Sequence, residues 1–329
     1  MTVPTTMRAL QQRSLDGPLD MVLIPDVPVP RPGPDDVLVR VTAAGVNFAD
    51  VSKAHGTFGD GPRPPYLAGF EAAGEVVAVG EAVTTVAAGA HVVGVGEGAF
   101  AEYMVLPAVA AMPVPSGWTH QQALGLAVNW PTALAVVGHL GGVTAGRTVL
   151  VHAAAGATGR AAVTVAKHRG AMVIATASRE KHAAVLAAGA DHVVDSRGDV
   201  AAEVRRLTGG VGVDVVLESA GGATLEASLA AAKRVTGRVV VYGLAGGEAS
   251  LTNWDLVYRH QVHVVGFNLG VFIRSAPQLF GEVLGELHTL IADGVLTPSE
   301  PTTYALPGGP KALAALETRA TIGKLVLAP

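Results

Sequence analysis

Residues 148–178 run from an apolar strand into a turn of small residues, then a helix, then a second apolar strand. That order constrains the fold more than any other feature of the chain. The turn lies in Val149-Leu-Val-His-Ala-Ala-Ala-Gly-Ala-Thr-Gly159. Small side chains there let backbone N–H groups approach a pyrophosphate at a helix N-terminus, where the helix dipole favours negative charge. Arg160 to His168 suits a helix, and Met172-Val-Ile-Ala-Thr-Ala-Ser178 suits the second strand of a βαβ unit. Position by position the turn reads Ala153-x-x-Gly156-x-x-Gly159, with Ala where a dinucleotide fingerprint begins with Gly. Glycine spacing of this kind also occurs in plain tight turns; the strand before it and the helix after it favour a dinucleotide site.

The alternation continues downstream. Apolar strands are expected at Thr148–Ala153, Met172–Ser178, His192–Asp195, Val213–Ser219, Arg238–Gly243 and His263–Asn268. Helical stretches at Glu180–Ala188, Val200–Leu207 and Leu225–Lys233 separate them. This is the rhythm of an α/β fold with an open parallel sheet covered on both faces. Before about Thr119 the texture differs. Val37–Thr42, Gly74–Val79 and Ala101–Leu106 read as strands of a largely antiparallel β domain, punctuated by Pro32-Gly-Pro34 and Gly59-Asp-Gly-Pro62. After Asn268 come a long helix, about Ala276 to Asp293, a short one near Lys311–Thr318, and a last strand at Gly323–Leu327. A strand after the doubly wound sheet reads as a return to the first domain. The expected division is residues 1–121 with 269–329 for the β domain and 122–268 for the parallel sheet.

Composition narrows the function classes. Of 329 residues, 50% are hydrophobic and 15% charged, which supplies two cores. The chain has no cysteine, which excludes disulfides, thiolate nucleophiles and Cys-ligated zinc. A net charge of −4 argues against nucleic acid as a partner. Met1 to Arg13 lacks the apolar core of a secretory signal, so a cytoplasmic location is expected. Asn129, Pro131 and His139 interrupt the apolar stretch Ala123 to Val143, which reads as a buried helix rather than a membrane span. None of the eleven histidines forms a His-x-x-x-His pair, and no Ser/His/Asp arrangement or carboxylate pair stands out.

Several motifs, in order, resemble the medium-chain dehydrogenase/reductase superfamily and, within it, the zinc-free quinone oxidoreductase family. They are Ala44-Gly-Val-Asn-Phe-Ala-Asp50, Gly69-Phe-Glu-Ala-Ala-Gly74, His152-Ala-Ala-Ala-Gly-Ala-Thr-Gly159, Leu217-Glu-Ser-Ala-Gly-Gly222 and Gly323-Lys-Leu-Val-Leu327. The resemblance covers nearly the whole chain. It implies a GroES-like β domain plus a Rossmann nucleotide-binding domain, with the active site in the cleft between them and NADPH as cofactor. Zinc-dependent relatives place Cys near the position of Asn47 and His at that of Phe70. An amide and a hydrocarbon ring are not normal zinc ligands. Without a Lewis acid an alcohol is hard to deprotonate. A quinone or enone is an easier acceptor, because it spreads the incoming hydride's charge onto a distant oxygen. The expected substrate is therefore a small quinone or an activated C=C.

The resemblance places Asn47 beside the nicotinamide ribose and substrate, as the catalytic candidate; the alternative is an Asn that supports a turn. Asp50 is expected to orient backbone as a cap. Cofactor contacts are expected from Asn47, Thr132, Ala155, Gly156, Ala157, Thr158, Gly159, Gly243, Leu244, Phe267, Asn268 and Lys324. The second strand ends in Ser178 rather than Asp or Glu, and Arg179 and Lys181 follow. A hydroxyl and two cations suit a 2′-phosphate, so NADPH is expected over NADH; the alternative is a solvated basic helix start. Ser52 and Phe58 stand where some quinone oxidoreductases carry tyrosines, which leaves the proton donor unassigned. Tyr66, His55 and Asn268 are candidate polar groups of the pocket. The segment Val262–Asn268 is apolar on both faces and would leave an open sheet edge, so a homodimer is expected. No membrane or nucleic-acid partner is expected.

Overall fold

The strand expected at Val37–Thr42 extends over Asp36–Val46 in the computed structural model, which describes residues 3–329. Alanine and glycine are poor strand formers, so Ala43, Ala44 and Gly45 carry little sequence signal. They are held in the strand by neighbours on two sides: Ala43 to Gly45 face Ala73 to Glu71, and Ala44 to Val46 face Leu327 to Leu325. The chain divides into two units, one up to Val128 together with Pro298–Pro329, the other Asn129–Thr297.

The first unit runs β1 (Thr6–Gln12), β2 (Met21–Pro28), β3 (Asp36–Val46), α1 (Phe48–Ala54), β4 (Tyr66–Leu67), β5 (Glu71–Val79), β6 (His91–Val95), β7 (Tyr103–Pro107), β8 (Met112–Pro113) and α2 (His120–Ala123). β1 lies between β2 and β4 in a small antiparallel sheet. In the larger sheet β3 pairs antiparallel with both β5 and β7. Val37, Val39, Val41, Phe100, Met104 and Leu106 are buried in its core.

The second unit begins with α3 (Asn129–Val137), the mostly buried helix of the apolar stretch. Among the described residues no helix is long and apolar enough to cross a membrane. It continues through β9 (Thr148–Val151), α4 (Ala157–His168), β10 (Met172–Ala177), α5 (His182–Ala187), β11 (His192–Asp195), α6 (Val200–Leu207), β12 (Val215–Glu218), α7 (Ala223–Ala231), β13 (Arg238–Val241), β14 (His263–Gly266), α8 (Leu269–Ser275) and α9 (Pro277–Ala292). A π-helical turn, Asp255–His260, precedes β14. The sheet is parallel throughout, in the order β11-β10-β9-β12-β13-β14. Strand order reverses between β9 and β12. In doubly wound sheets ligands bind outside the carboxyl ends of the strands at that point.

The chain then returns to the first unit with β15 (Thr302–Ala305), α10 (Gly309–Glu317) and β16 (Leu325–Ala328). β16 lies between β15 and β3.

Two domain boundaries need correction. Residues 269–297 belong with the parallel sheet, not with the β unit: α9 packs on α3, buries Val283, Leu287 and Leu290, and Glu286 receives two hydrogen bonds from Arg169 at 2.7 and 2.9 Å. Residues 122–128 stay with the β unit, where Gly125 N–H donates to Glu71. Five strands of the parallel sheet also end one or two residues earlier than expected. They stop at Val151, Ala177, Glu218, Val241 and Gly266. The residues beyond, among them His152, Ser178, Ser219, Tyr242 and Phe267, leave the ladder to form the turns of the crevice.

Candidate functional site

The crevice of the second unit is built by the turn from β9 into α4. Ala153 adopts a left-handed backbone, φ +48°, where an L-residue with a small side chain is strained least. Gly156 N–H closes the turn on Ala153 C=O at 3.0 Å, and Gly156 is the N-cap of α4. Gly159 needs its missing side chain. A Cβ there would lie 2.4 Å from Ala153 O and 2.7 Å from Ala154 Cα, so only glycine lets the helix close on the strand. Ala155 is buried and Ala157 opens the helix. The Thr158 hydroxyl accepts from Asn129 Nδ2 at 2.9 Å, so α3 helps to seat the turn; Thr132 is half-buried on the same helix. The turn thus brings backbone N–H groups to a helix N-terminus, a shape suited to phosphate groups.

The loop after β13 borders the same sheet edge. A Cβ on Gly243 would lie 2.4 Å from Ser219 O, and Leu244 is exposed. After β14, Phe267 packs against Phe272, the rings tilted by 56° with centroids 5.5 Å apart. Asn268 Oδ1 accepts from Val271 N–H at 3.0 Å and caps α8, so this oxygen is committed to the helix.

At the end of β10, Ser178 hydrogen-bonds Glu180 and lowers its pKa, after the larger effect of Glu180's own backbone N–H. Arg179 is 84% exposed and its Nε donates to Asp195 at 2.8 Å. Lys181 is buried. The two cations therefore differ: one reaches into solvent from a carboxylate, and the other is part of the interior.

The first unit holds a buried polar cluster. Asn47 is the N-cap residue of α1, in a capping box with Asp50. Its Nδ2 donates to Glu71 Oε2 at 2.8 Å and to Gly45 O at 3.3 Å, and its Oδ1 accepts from Lys324 Nζ at 2.8 Å. Lys324 also donates to Glu71 Oε2 at 2.5 Å, and Glu71 Oε1 accepts the Gly125 N–H at 2.5 Å. Cation, amide and carboxylate thus fix one another, and the amide has only one orientation that satisfies both neighbours. A Cβ on Gly45 would lie 2.4 Å from Glu71 Oε2, which is why glycine precedes Val46 and Asn47.

Asp50 Oδ2 accepts the Asn47 backbone N–H at 2.9 Å, the cap-like role expected of it. Its Oδ1 is buried without a hydrogen-bond partner. Burial pushes its pKa up to about 7, against the lowering effects of the Asn47 N–H and then Lys53 and Lys324. Burial, and secondarily Asp50, pushes Tyr66 up to about 12. Lys53 Nζ sits 4.4 Å from the centroid of the Phe70 ring. Tyr66 and Lys53 line an open cavity of about 340 Å³ with Met7, Leu67, Tyr103 and Met104. His55 faces elsewhere, with Nε2 2.6 Å from Glu317 on α10. Among the described residues no three His, Asp or Glu side chains are grouped to hold a metal ion.

Sequence reading misses Glu71. Its signal is a carboxylate that opens a strand of mostly apolar residues, ahead of a second one at Glu75. It also finds no Ser/His/acid grouping, yet the fold brings His152, Ser228 and Glu218 together in the second unit, with His152 Nε2 3.0 Å from Ser228 Oγ and Ser228 Oγ hydrogen-bonded to Glu218 Oε2. Glu218, last in an apolar strand, carries the same signal; Ser228 in an alanine-rich helix carries none.

Comparison with known proteins follows the two units. An alcohol dehydrogenase GroES-like domain model matches residues 33–116, and a zinc-binding dehydrogenase model matches residues 157–285. The quinone oxidoreductase-like protein 2 homolog of Nematostella vectensis is 33% identical over 300 residues, covering 90% of this chain and 82% of that protein. The structure of Escherichia coli quinone oxidoreductase complexed with NADPH superposes with a TM-score of 0.90 at 30% identity, covering 98% of this chain and 100% of that one. The CurK enoyl reductase superposes with a TM-score of 0.89 at 28% identity, covering 98% of this chain and 99% of that one. The chain also matches a mycocerosic acid synthase-like polyketide synthase of Mycobacterium tuberculosis, 35% identical over 303 residues; it covers 90% of this chain but spans only 14% of that protein.

Proposed function

The chain belongs to the quinone oxidoreductase family of the medium-chain dehydrogenase/reductase superfamily, and from that premise we propose that it reduces a quinone or an activated C=C with NADPH, without a metal. The observation that carries the cofactor reading is the cradle at Ala153–Gly159, where a left-handed alanine and a glycine without room for a Cβ bring backbone against a helix N-terminus. When bound, NADPH supplies the hydride. Ser178, Arg179 and Lys181 are the proposed 2′-phosphate contacts. Thr132, Ala155, Gly156, Ala157, Thr158, Gly159, Gly243, Leu244, Phe267, Asn268 and Lys324 are the other proposed cofactor residues.

The chain's own contribution is to bind and orient. Lys324 and Glu71 hold the Asn47 amide from opposite ends, and Asn47 positions the reacting groups. The metal-free reading rests on donor chemistry: an amide engaged with Lys324 and Glu71, and a phenyl ring at Phe70, offer a zinc ion nothing it binds well. Reduction of a quinone or enone also takes up a proton, from water or from a side chain.

A second reading is favoured by the likeness to the CurK enoyl reductase: the acceptor is an α,β-unsaturated thioester in secondary metabolism. A third is an NADPH-binding protein without turnover. NADPH oxidation across quinones, enones and enoyl thioesters separates them. Turnover of quinones or simple enones supports the first reading, turnover of thioesters alone the second, and binding without oxidation the third.

A homodimer is part of the proposal. β14 is an edge strand, with Val264 exposed, and the preceding π-helical turn exposes Val257 and Tyr258 after the exposed Trp254. Pairing β14 with its two-fold mate would cover that edge. Light scattering at micromolar concentration should give twice the chain mass; a monomer mass refutes it.

A further inference from the structure

Beneath the turn that opens α4 runs a buried chain of four side chains. Thr176 Oγ1 lies 3.1 Å from His152 Nδ1, and His152 Nε2 lies 3.0 Å from Ser228 Oγ. Ser228 Oγ hydrogen-bonds Glu218 Oε2, and Glu218 Oε1 accepts the N–H groups of Ala220 at 2.6 Å and Gly221 at 2.9 Å. All four side chains are buried. The group has the residues of a hydrolytic triad but not its order. In a triad the imidazole lies between hydroxyl and carboxylate and takes the hydroxyl's proton. Here the hydroxyl lies between imidazole and carboxylate, and no part of it reaches a substrate.

The hydrogens can be assigned. Ser228 Oγ has two acceptors in reach, the Thr224 C=O at 2.9 Å and the closer Glu218 carboxylate, which only accepts; the carboxylate takes its one hydrogen. Ser228 then accepts from His152 Nε2–H, and His152 Nδ1 accepts from the Thr176 hydroxyl. Burial lowers the pKa of His152, with the Glu218 charge opposing, which keeps the imidazole neutral and both ring nitrogens satisfied. The chain runs one way, from Thr176 through His152 and Ser228 to Glu218.

Its ends sit on opposite lips of the crevice. His152 follows the last residue of β9 and precedes Ala153, the left-handed residue of the cradle. Glu218 ends β12 and holds the loop at Ala220 and Gly221. That loop is laced in turn to the loop after β13: Gly246 N–H donates to Ala220 O at 2.5 Å, and Gly222 N–H to Gly247 O at 2.9 Å. We propose that Thr176, His152, Ser228 and Glu218 form a positioning relay that ties the cradle to the loops after β12 and β13, and that NADPH affinity depends on the relay being unbroken. The proposal rests on the NADPH reading above. All four are buried and act through the backbone they hold.

The test uses the full chain and two variants, with NADPH binding read by fluorescence and the protonation of His152 read by ¹⁵N NMR of its ring. Ser228→Ala cuts the relay and should raise the NADPH dissociation constant about tenfold or more. Glu218→Gln should spare it. The Gln carbonyl can still accept from Ala220 and Gly221, and its amide can donate to Ser228. Ser228 would then give its hydrogen to the Thr224 C=O, 2.9 Å away, and still accept from His152 Nε2–H. Affinity should stay within about threefold, with the ring hydrogen on Nε2 in both the native protein and the variant. Native-like affinity in Ser228→Ala, or a native ring hydrogen on Nδ1, overturns the proposal. If Ser228→Ala does not fold, the Glu218→Gln affinity and tautomer decide. If the native protein does not bind NADPH, the cofactor reading fails and takes the relay's role with it; if it binds and Ser228→Ala binds equally well, only the relay fails.

Discussion

In the first unit Lys324 reaches Asn47 across 277 residues and Glu71 across 253 residues of sequence, so a permanent cation and a carboxylate are sealed together between β16 and β5. In the second unit the relay from Thr176 to Glu218 spans less chain and contains no permanent cation; a neutral imidazole and two hydroxyls do the linking. The two solutions fail differently. A charged pair stripped of water is stable only while both partners remain, because losing one leaves an uncompensated charge in the interior. A relay cut at Ser228 takes that partner from Glu218 Oε2 and His152 Nε2–H, but Glu218 Oε1 keeps the N–H groups of Ala220 and Gly221. The first unit therefore ties its candidate site to its stability, and the second can lose precision at the crevice while staying folded.

The largest effect should come from splitting the charged pair. Lys324→Ala leaves Glu71 buried without its cation and should cost about 3–5 kcal/mol in chemical denaturation. The double variant Glu71→Gln/Lys324→Met should recover much of that. A loss below about 1 kcal/mol in the single variant would mean that solvent reaches the pair.

Asn47→Ala comes next. Removing the amide that Lys324 and Glu71 orient should reduce kcat/KM by about 1–3 kcal/mol, mostly in kcat, with a smaller change in NADPH binding. Unchanged kcat/KM would make Asn47 a purely structural link of the cluster.

Asp50 supplies a pH dependence of intermediate size. Its folded-state pKa of about 7 lies above the ordinary 3.8, so folding favours the protonated acid. The resulting stability is complete below about pH 4 and is lost as pH rises through about 7. From pH 6 to 8 the loss should be about 1.4 kcal/mol. Asp50→Asn, which cannot ionise, should flatten that part of the curve, and an unchanged slope would assign the dependence to another group.

The smallest effect belongs to the exposed end of β10. An Arg179→Ala/Lys181→Ala variant should lose about fivefold in NADPH affinity and little for NADH, because Arg179 is largely solvated and shared with Asp195. Equal affinities of the native protein for both cofactors would remove the 2′-phosphate role.

What can be read from sequence follows from how local each feature is. The βαβ unit is contiguous, and its turn needs particular small residues at fixed spacing, so Ala153, Gly156 and Gly159 stand out in the sequence alone. The helix Val200–Leu207 is legible for the same reason, with Asp199 capping it through Ala202 N–H. Helix α9 is equally plain as a helix, but its apolar face does not say which unit it covers, and so the expected boundary at residue 269 fails. Expected strand ends run long because residues just past the ladder, such as Tyr242 and Phe267, continue the strand-like run into the crevice turns. Glu71 and Lys324 are joined only by the pairing of β16 with β3 and β3 with β5, which no short window contains. Ser228 becomes informative only when α7 is laid beside β12.

The most direct test of metal-free NADPH chemistry is NADPH oxidation by protein stripped of metal by exhaustive chelation, measured with quinones, enones and enoyl thioesters while bound zinc is quantified. Turnover is expected with at least one of these acceptors, at the same rate before and after chelation. Stoichiometric zinc whose removal abolishes the rate, or NADPH binding with no oxidation by any acceptor, would contradict it.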